Sequence, residues 1–242
     1  MGIFTEACRD VRAFMAEAGV RNKRDFMPLE MERAWPAGGD RNLVMAAEVG
    51  VELGNPREES VSFVLWTEEM AEIHDGRITL IGPDIQESRG RSLPFGKIVL
   101  VGGRGFDEGN IYERYRELEA LRYDLDLQGY MLRAASVYQK EWIRISRAAV
   151  EDGFSFRIMG TELIKPFRRK DYIDAVEVLF VTSGVEDISR LKGIATGVGR
   201  MIAAMGKMVD ELSMDCDTCE YEDVCNAVEN LKRMRDRLMK GA

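Results

Sequence analysis

Histidine and long apolar runs are nearly missing from this sequence, and each absence excludes a class of protein. His74 is the only histidine in 242 residues, so one chain cannot assemble a histidine-based catalytic triad or a histidine-rich metal site. No apolar run approaches the roughly 20 residues that a transmembrane helix requires, so we expect no membrane-spanning segment. A hydrophobic fraction of 45% and the lack of low-complexity tracts exclude disorder and collagen-like repeats.

Basic residues are also fewer than acidic ones in this sequence. The 34 lysines and arginines are outnumbered by 42 aspartates and glutamates, which leaves a net charge of -8. Such an acidic chain repels nucleic acid and anionic lipid overall, so we expect neither nucleic acid nor a membrane as a partner. The first dozen residues mix acids with arginines and contain no apolar signal-peptide core, which predicts a cytoplasmic protein.

Cysteines are few and unevenly placed. Cys8 stands alone, whereas Cys216, Cys219 and Cys225 follow a C-x2-C-x5-C pattern. Three thiols at this spacing make a poor disulfide framework, but they can close around a zinc ion or three corners of an iron–sulfur cluster. The alternative is three reduced thiols at the start of a helix, with Cys225 on its apolar face. Because the acidic neighbours disfavour thiolates, we prefer the interpretation with a bound cation or cluster.

The pattern of apolar residues predicts an α/β fold: a mixed sheet with flanking helices, followed by a C-terminal cysteine-containing helical segment. The predicted helices cover 5–18, 111–121, 185–212 and 224–238; the predicted strands cover 61–67, 77–82, 97–103 and 175–183; and 136–150 is predicted to be a strand that leads into a helix. His74 is predicted to lie in a hairpin loop between the first two strands. We divide the chain into an N-terminal helix and wrapping segment (1–48), an α/β domain (49–212), and a cysteine-cluster segment with a C-terminal helix (213–242).

A band of basic residues surrounds Trp142 in this otherwise acidic chain. Its members are Arg133, Arg144, Arg147, Arg157, Lys165, Arg168 and Arg169. Guanidinium groups there can hold the phosphates of a nucleotide, with the indole against a ring or a pantetheine arm. The alternative is solvated surface charge around a core tryptophan.

A glycine-rich segment, 101–109, follows a predicted strand and precedes a predicted helix. Backbone N–H groups in such a position can cradle a phosphate. The segment has neither the G-x-G-x-x-G spacing nor the Lys-Ser/Thr pair of a phosphate-binding loop, so the favoured interpretation is a turn.

Five segments carry a family resemblance, and they occur in the family's order along the chain. They are VELGNPREESVSFVLWT (51–67), DGRITLIGPDIQE (75–87), LPFGKIVLVGGRGFDE (93–108), WIRISRAAVEDGF (142–154) and CDTCEYEDVC (216–225). Together they resemble acetyl-CoA synthase, the beta subunit of the CO dehydrogenase/acetyl-CoA synthase complex.

This resemblance implies which residues bind cofactors. In that family a tryptophan among arginines is implicated in coenzyme A binding, and its segment is similar to Trp142 and Arg144, with Arg133 and Arg147 as further candidates. The family also holds a [4Fe-4S] cluster, joined to nickel, with C-x2-C and two further cysteines. Cys216, Cys219 and Cys225 resemble the first three of these ligands, which implies a [4Fe-4S] cluster, with zinc as the alternative.

The chain also departs from the family's pattern. It contains no Cys-Gly-Cys, the motif that supplies the square-planar site of a second nickel, and its gap between Cys219 and Cys225 is shorter than the family's. We therefore expect an accessory iron–sulfur protein of one-carbon metabolism that binds coenzyme A and does not make acetyl-CoA alone.

Two alternatives stay open: a subunit of a split synthase whose active site a partner chain completes, and a zinc-stabilised binding module. The sequence leaves open whether the chain is an enzyme. The expected partners are other subunits of a CO dehydrogenase/acetyl-CoA synthase or corrinoid protein system, with a second copy of this chain as a further candidate.

Overall fold

Two β-sheets and the helices that flank them make up the architecture. The computed structural model describes residues 2–18, 22–30, 35–39, 42–107, 109–135, 140–210, 216 and 219–241. Its strands are β1 (Lys23–Phe26), β2 (Val49–Leu53), β3 (Ser60–Thr67), β4 (Ile78–Ile81), β5 (Ser92–Leu93), β6 (Phe95–Gly103), β7 (Tyr130–Ala135), β8 (Lys140–Ser146) and β9 (Ile173–Val181). Its α-helices are α1 (Thr5–Ala18), α2 (Ile111–Leu121), α3 (Arg147–Glu151), α4 (Phe156–Arg168), α5 (Val185–Asp210), α6 (Glu222–Ala227) and α7 (Glu229–Gly241). The predicted α/β class with mixed strand directions is confirmed.

The larger sheet has five strands in the order β1-β4-β9-β6-β3. Within it β4 and β9 run parallel, as do β6 and β3, whereas the other two neighbouring pairs are antiparallel. Every residue of β3 and β6 is buried. Strands that are covered on both faces have nearly continuous apolar sequences, which explains why β3 and β6 could be predicted as strands from the sequence.

The smaller sheet has four strands in the order β5-β2-β8-β7. Its strand β8 packs against β3 of the larger sheet. Burial alternates along β8, so that Glu141, Ile143 and Ile145 are buried whereas Trp142 and Arg144 are only partly so. Alternation of this kind marks a sheet with one face on the core and the other toward solvent. The outer face of this sheet is therefore the face that carries Trp142.

Two buried ion-pair clusters join these layers. Glu177 of β9 is fully buried and accepts hydrogen bonds from Arg12 of α1 (Nη1–Oε1, 2.8 Å) and from Arg77 (Nε–Oε1, 2.7 Å). Lys97 of β6 is also fully buried, and its Nζ lies 2.8 Å from Oε2 of Glu141 on β8. The first cluster attaches α1 to the larger sheet, and the second connects the two sheets.

The C-terminal helices pack on α5. Cys225, Leu231 and Met234 are buried in the same core as Met205 and Met208 of α5. One continuous helix was predicted over 224–238, but the chain leaves helical geometry at Val228 (φ -108°, ψ 108°), which separates α6 from α7. The backbone N–H of Val228 bonds to the carbonyl of Val224 and closes the last turn of α6.

Several other predictions can be compared with these bounds. Helices α1, α2, α3 and α5, and strands β3, β4, β6, β8 and β9, form where they were predicted, although 136–139 and 211–212 lie outside the described residues. The hairpin around His74 is wrong, because β3 and β4 occupy different positions in the sheet and do not pair. Strands β1, β2, β5 and β7 and helix α4 were not predicted. Among the described helices, none is long and apolar enough to cross a membrane.

Candidate functional site

The outer face of the smaller sheet gathers Trp142 and two arginines. Arg133 of β7 lies directly opposite Trp142 of β8, and Arg144 lies two residues along β8. Residues directly opposite one another in an antiparallel pair share a face, as do alternate residues of one strand. The pairing of β7 with β8 therefore brings these three side chains together.

Both guanidinium groups lie against the indole ring. The Cζ atom of Arg144 is 4.6 Å from the centroid of the Trp142 ring, and that of Arg133 is 5.2 Å from it. These distances are within the range of a cation–π contact, which holds the ring and the two charges in fixed relation. We call Arg133, Trp142 and Arg144 the indole platform.

The two arginines of the indole platform differ in their partners. Arg144 donates from Nε to Oε1 of Glu52 at 2.8 Å, and both side chains are largely shielded from solvent, with exposed fractions of 17% and 20%. Arg133 is exposed, and among the residues that the structure describes no carboxylate pairs with it. Arg133 is thus the guanidinium that remains available to an anionic ligand.

Glu52 is held in place from several sides. Asn55 Nδ2 donates to its Oε2 at 3.1 Å, and Ser92 Oγ lies 3.5 Å from the same oxygen. Burial raises the pKa of Glu52, but the hydrogen bonds from Arg144 and Asn55 outweigh it, so the pKa lies below its ordinary value. The indole N–H of Trp142 also lowers the pKa of Glu52. This N–H is buried and has no hydrogen-bond partner of ordinary geometry. Glu52 therefore carries a full negative charge at neutral pH.

Arg147 lies beside the indole platform rather than on it. It is the first residue of α3, which Ser146 caps by accepting a hydrogen bond from the backbone N–H of Ala149. Its exposed side chain lines a cavity of about 430 Å³ together with Asn42 and Val44. Gly50 permits this close approach of β2 and α3, because a Cβ atom there would come within 2.9 Å of the Cα of Arg147.

The rest of the basic band does not reach Trp142. Arg157 and Arg168 lie on α4, which packs on the larger sheet. Arg157 donates to the carbonyl of Met27, and Arg168 donates to the carboxylate of Asp75. Lys165 of the same helix bonds to Glu162. The solvated-surface interpretation therefore holds for these members of the band.

The glycine-rich segment forms a turn between β6 and α2. Gly105 adopts a left-handed conformation (φ 75°), and Arg114 of α2 donates to its carbonyl and to that of Arg104. The guanidinium of Arg114 therefore lies against the carbonyl groups of this turn. This geometry agrees with the favoured interpretation of the segment as a turn.

The three C-terminal cysteines lie near one another without forming a ligand set. The backbone N–H of Cys219 bonds to the carbonyl of Cys216 at 3.3 Å, and all three thiols are free. Burial raises the pKa of Cys225, and the nearby Cys219 and Cys216 raise it further against the lowering effect of Arg235. Asp215 and Asp217 lie outside the described residues.

Within the described ranges, no three cysteine, histidine or acidic side chains are arranged to hold a metal ion. The metal site predicted at Cys216, Cys219 and Cys225 stays a prediction.

Comparison with known proteins decides the family. Residues 31–186 match the family described as the CO dehydrogenase/acetyl-CoA synthase complex beta subunit. The chain belongs to this family. The matched residues of the CO dehydrogenase/acetyl-CoA synthase beta-subunit family include Glu52 and the whole indole platform, and they end before Cys216.

Curated relatives from CO dehydrogenase/acetyl-CoA synthase complexes match this chain over part of their own length. The carbon monoxide dehydrogenase/acetyl-CoA synthase subunit alpha of Moorella thermoacetica is 30% identical over 145 residues, which are 57% of this chain and 19% of that protein. The acetyl-CoA decarbonylase/synthase complex subunit beta 2 of Methanosarcina thermophila is 30% identical over 56% of this chain and 28% of its own length. The subunit beta of Archaeoglobus fulgidus is 25% identical over 57% of this chain and 26% of its own length. The match thus covers between 19% and 28% of the length of these relatives.

Proposed function

We propose that this chain binds coenzyme A, or a nucleotide related to it, at the indole platform, as an accessory component of one-carbon metabolism. The observation that carries the proposal is the pair of guanidinium groups at 4.6 and 5.2 Å from the Trp142 ring, on the outer face of a sheet and within the family-matched residues. Its partners are then other subunits of a CO dehydrogenase/acetyl-CoA synthase or corrinoid protein system, because the relatives named above are subunits of such complexes.

The chemistry of the indole platform suits such a ligand. An indole ring stacks on an adenine ring or packs against an apolar pantetheine arm, and an unpaired guanidinium forms charge-assisted hydrogen bonds to phosphate oxygens. Arg133 is exposed and has no carboxylate partner in the described part of the chain, so it loses no ion pair when a phosphate arrives. Arg144 would first have to leave Glu52.

Titration calorimetry with coenzyme A tests the proposal. The parent is expected to bind, and Arg133→Ala is expected to weaken binding about tenfold or more, because one charge-assisted hydrogen bond contributes about 1.5–3 kcal/mol. Arg116→Ala is the matched control, since Arg116 is also exposed and its guanidinium lies 6.0 Å from the ring of Tyr112, away from the indole platform. A parent that shows no binding at millimolar coenzyme A, or equal losses in the two variants, would contradict the proposal.

We also propose that Cys216, Cys219 and Cys225 ligate one metal centre, a [4Fe-4S] cluster or else a zinc ion. The support is their C-x2-C-x5-C spacing, together with the proximity of Cys216 and Cys219 to Cys225. Metal binding would require a further ligand to complete the site.

Metal analysis of anaerobically purified protein tests this second proposal. Visible absorption with bound iron indicates the cluster, and a colourless protein with bound zinc indicates the alternative. Replacement of all three cysteines by serine is expected to abolish metal binding, whereas Cys8→Ser, at a buried thiol whose pKa burial raises to about 12, should retain it. Unchanged metal content in the triple variant would show that the ligand assignment is wrong.

A further inference from the structure

The ion pair between Glu52 and Arg144 lies on the surface where a phosphate would approach the indole platform. Glu52 of β2 is directly opposite Arg144 of β8, so the register of the smaller sheet places the two charges side by side. Their separation of 2.8 Å and their small exposed fractions make this pair tighter than an ordinary surface ion pair. An anionic group that reaches Arg144 must therefore compete with a carboxylate that is already bound.

The carboxylate cannot easily turn away. Asn55 and Ser92 approach its second oxygen, so rotation of Glu52 would break these contacts as well as the ion pair. Since the charge of Arg144 is neutralised in place, the net charge that the indole platform and Glu52 present to a ligand is that of Arg133 alone.

We propose that Glu52 is a specificity-determining residue, which limits the indole platform to one phosphate contact and disfavours ligands that carry additional phosphate charge beside Arg144. The inference rests on the proposed nucleotide-binding function. It predicts that one phosphate group of the ligand contacts Arg133, and it makes the carboxylate of Glu52 a barrier to phosphate at Arg144.

The test compares adenosine mono- and triphosphate as calorimetric probes at constant ionic strength. In the parent, the triphosphate is expected to bind no more tightly than the monophosphate. In Glu52→Gln the freed guanidinium should raise the affinity for the triphosphate about tenfold, which corresponds to about 1.4 kcal/mol, and should change the affinity for the monophosphate much less. The matched control is Asp174→Asn, which frees Arg104 from a pair of the same 2.8 Å geometry elsewhere on the surface. It makes the same change in net charge and should leave both affinities unchanged.

A double variant keeps the inference testable if Glu52→Gln folds poorly. Glu52→Gln with Arg144→Gln removes both charges, preserves the net charge and leaves neither partner unpaired. If the pair contributes nothing to binding in the parent, this variant should bind the triphosphate as the parent does. A tenfold loss would show that Arg144 binds phosphate in spite of Glu52, and the inference would be wrong.

The outcomes also separate this inference from the proposed function. If the parent binds and Arg133→Ala loses affinity, but Glu52→Gln gains none for the triphosphate, the inference fails and the nucleotide site stands. If neither the parent nor Glu52→Gln binds either probe or coenzyme A, both are wrong. Binding by Glu52→Gln alone would contradict the proposed function of the parent chain and would support the barrier at Glu52.

Discussion

Replacement of Glu177 by glutamine tests how α1 is held on the larger sheet. The side chain of Glu177 is fully buried and accepts hydrogen bonds from Arg12 at 2.8 and 2.5 Å, from Arg77 at 2.7 Å and from the backbone N–H of His74 at 2.9 Å. A glutamine of the same shape removes the negative charge and turns one acceptor into a donor that faces other donors. Both guanidinium groups then lose their counter-charge.

The expected loss follows from the burial of the three groups. Removal of one partner from a buried ion pair costs about 3–5 kcal/mol, because the remaining charge stays desolvated. The side chains of Arg12 and Arg77 retain exposed fractions of 18% and 22%, so water can partly solvate them after the change. We therefore expect a loss near the lower end of that range, about 3 kcal/mol, in the free energy of unfolding at pH 7.

The loss should depend on pH in a defined direction. Burial raises the pKa of Glu177, but the hydrogen bonds from Arg12, His74 and Arg77 and the charge of Arg12 outweigh it, so the folded-state pKa lies below the ordinary value. A depressed pKa stabilises the fold at every pH above the unfolded value of about 4.3, and this stabilisation is lost as the pH falls through the folded-state pKa. The difference between the parent and Glu177→Gln should therefore be constant near neutral pH and shrink in the acid range.

Urea unfolding from pH 7 to pH 3 measures both effects. Glu69→Gln is the matched control, because Glu69 pairs with Arg9 of the same helix at 2.9 Å, with exposed fractions of 39% and 50%. Such a surface pair contributes at most about 1 kcal/mol. If Glu177→Gln loses no more than Glu69→Gln, or if its loss is the same at pH 3 as at pH 7, the ion pairs of Glu177 do not hold α1 on the sheet.

Two further predictions concern the core and the limits of activity. Lys97→Met should lower the free energy of unfolding by about 3–5 kcal/mol, because it leaves the Glu141 carboxylate buried without a counter-charge. The double variant Lys97→Met with Glu141→Leu should recover most of that loss. Equal losses for the two variants in urea unfolding would contradict this prediction. The purified 242-residue chain, even after exposure to nickel, should not form acetyl-CoA from a methyl donor, CO and coenzyme A, because it contains no Cys-Gly-Cys. Turnover by this chain alone would refute that expectation. Turnover that requires a partner chain would not refute it.

Much of the fold could be predicted because its strongest signals are local. The apolar spacing of α1 and α2 repeats within one helix, and β3, β6 and β9 read as apolar runs because both of their faces are covered. Strands β2 and β7 lie in the sheet with one outer face, and polar residues interrupt their patterns, so neither was predicted. The hairpin predicted around His74 failed for a related reason. Nothing local in the sequence reveals that β9, about a hundred residues later, pairs with β4.

The candidate site, like the fold, could be predicted from the sequence only in part. Trp142, Arg133 and Arg144 could be selected from the sequence, because an aromatic residue among arginines suits a nucleotide and because the family resemblance points to the same tryptophan. The polar position of Glu52 in VELGN could have suggested an outward-facing strand residue, but its partner is 92 residues away in the chain.

Local periodicity, a property of the sequence alone, thus predicted the fold class, and the family resemblance of five segments predicted the family and the choice of tryptophan. The tertiary structure decided which arginine is free. Strand register places Glu52 against Arg144 and leaves Arg133 exposed, and register is set by long-range pairing that no local pattern contains. The same pairing separates Arg157 and Arg168 from the indole platform, because α4 packs on the other sheet. Electrostatics depends on distances between side chains, and those distances exist only once the sheets have formed.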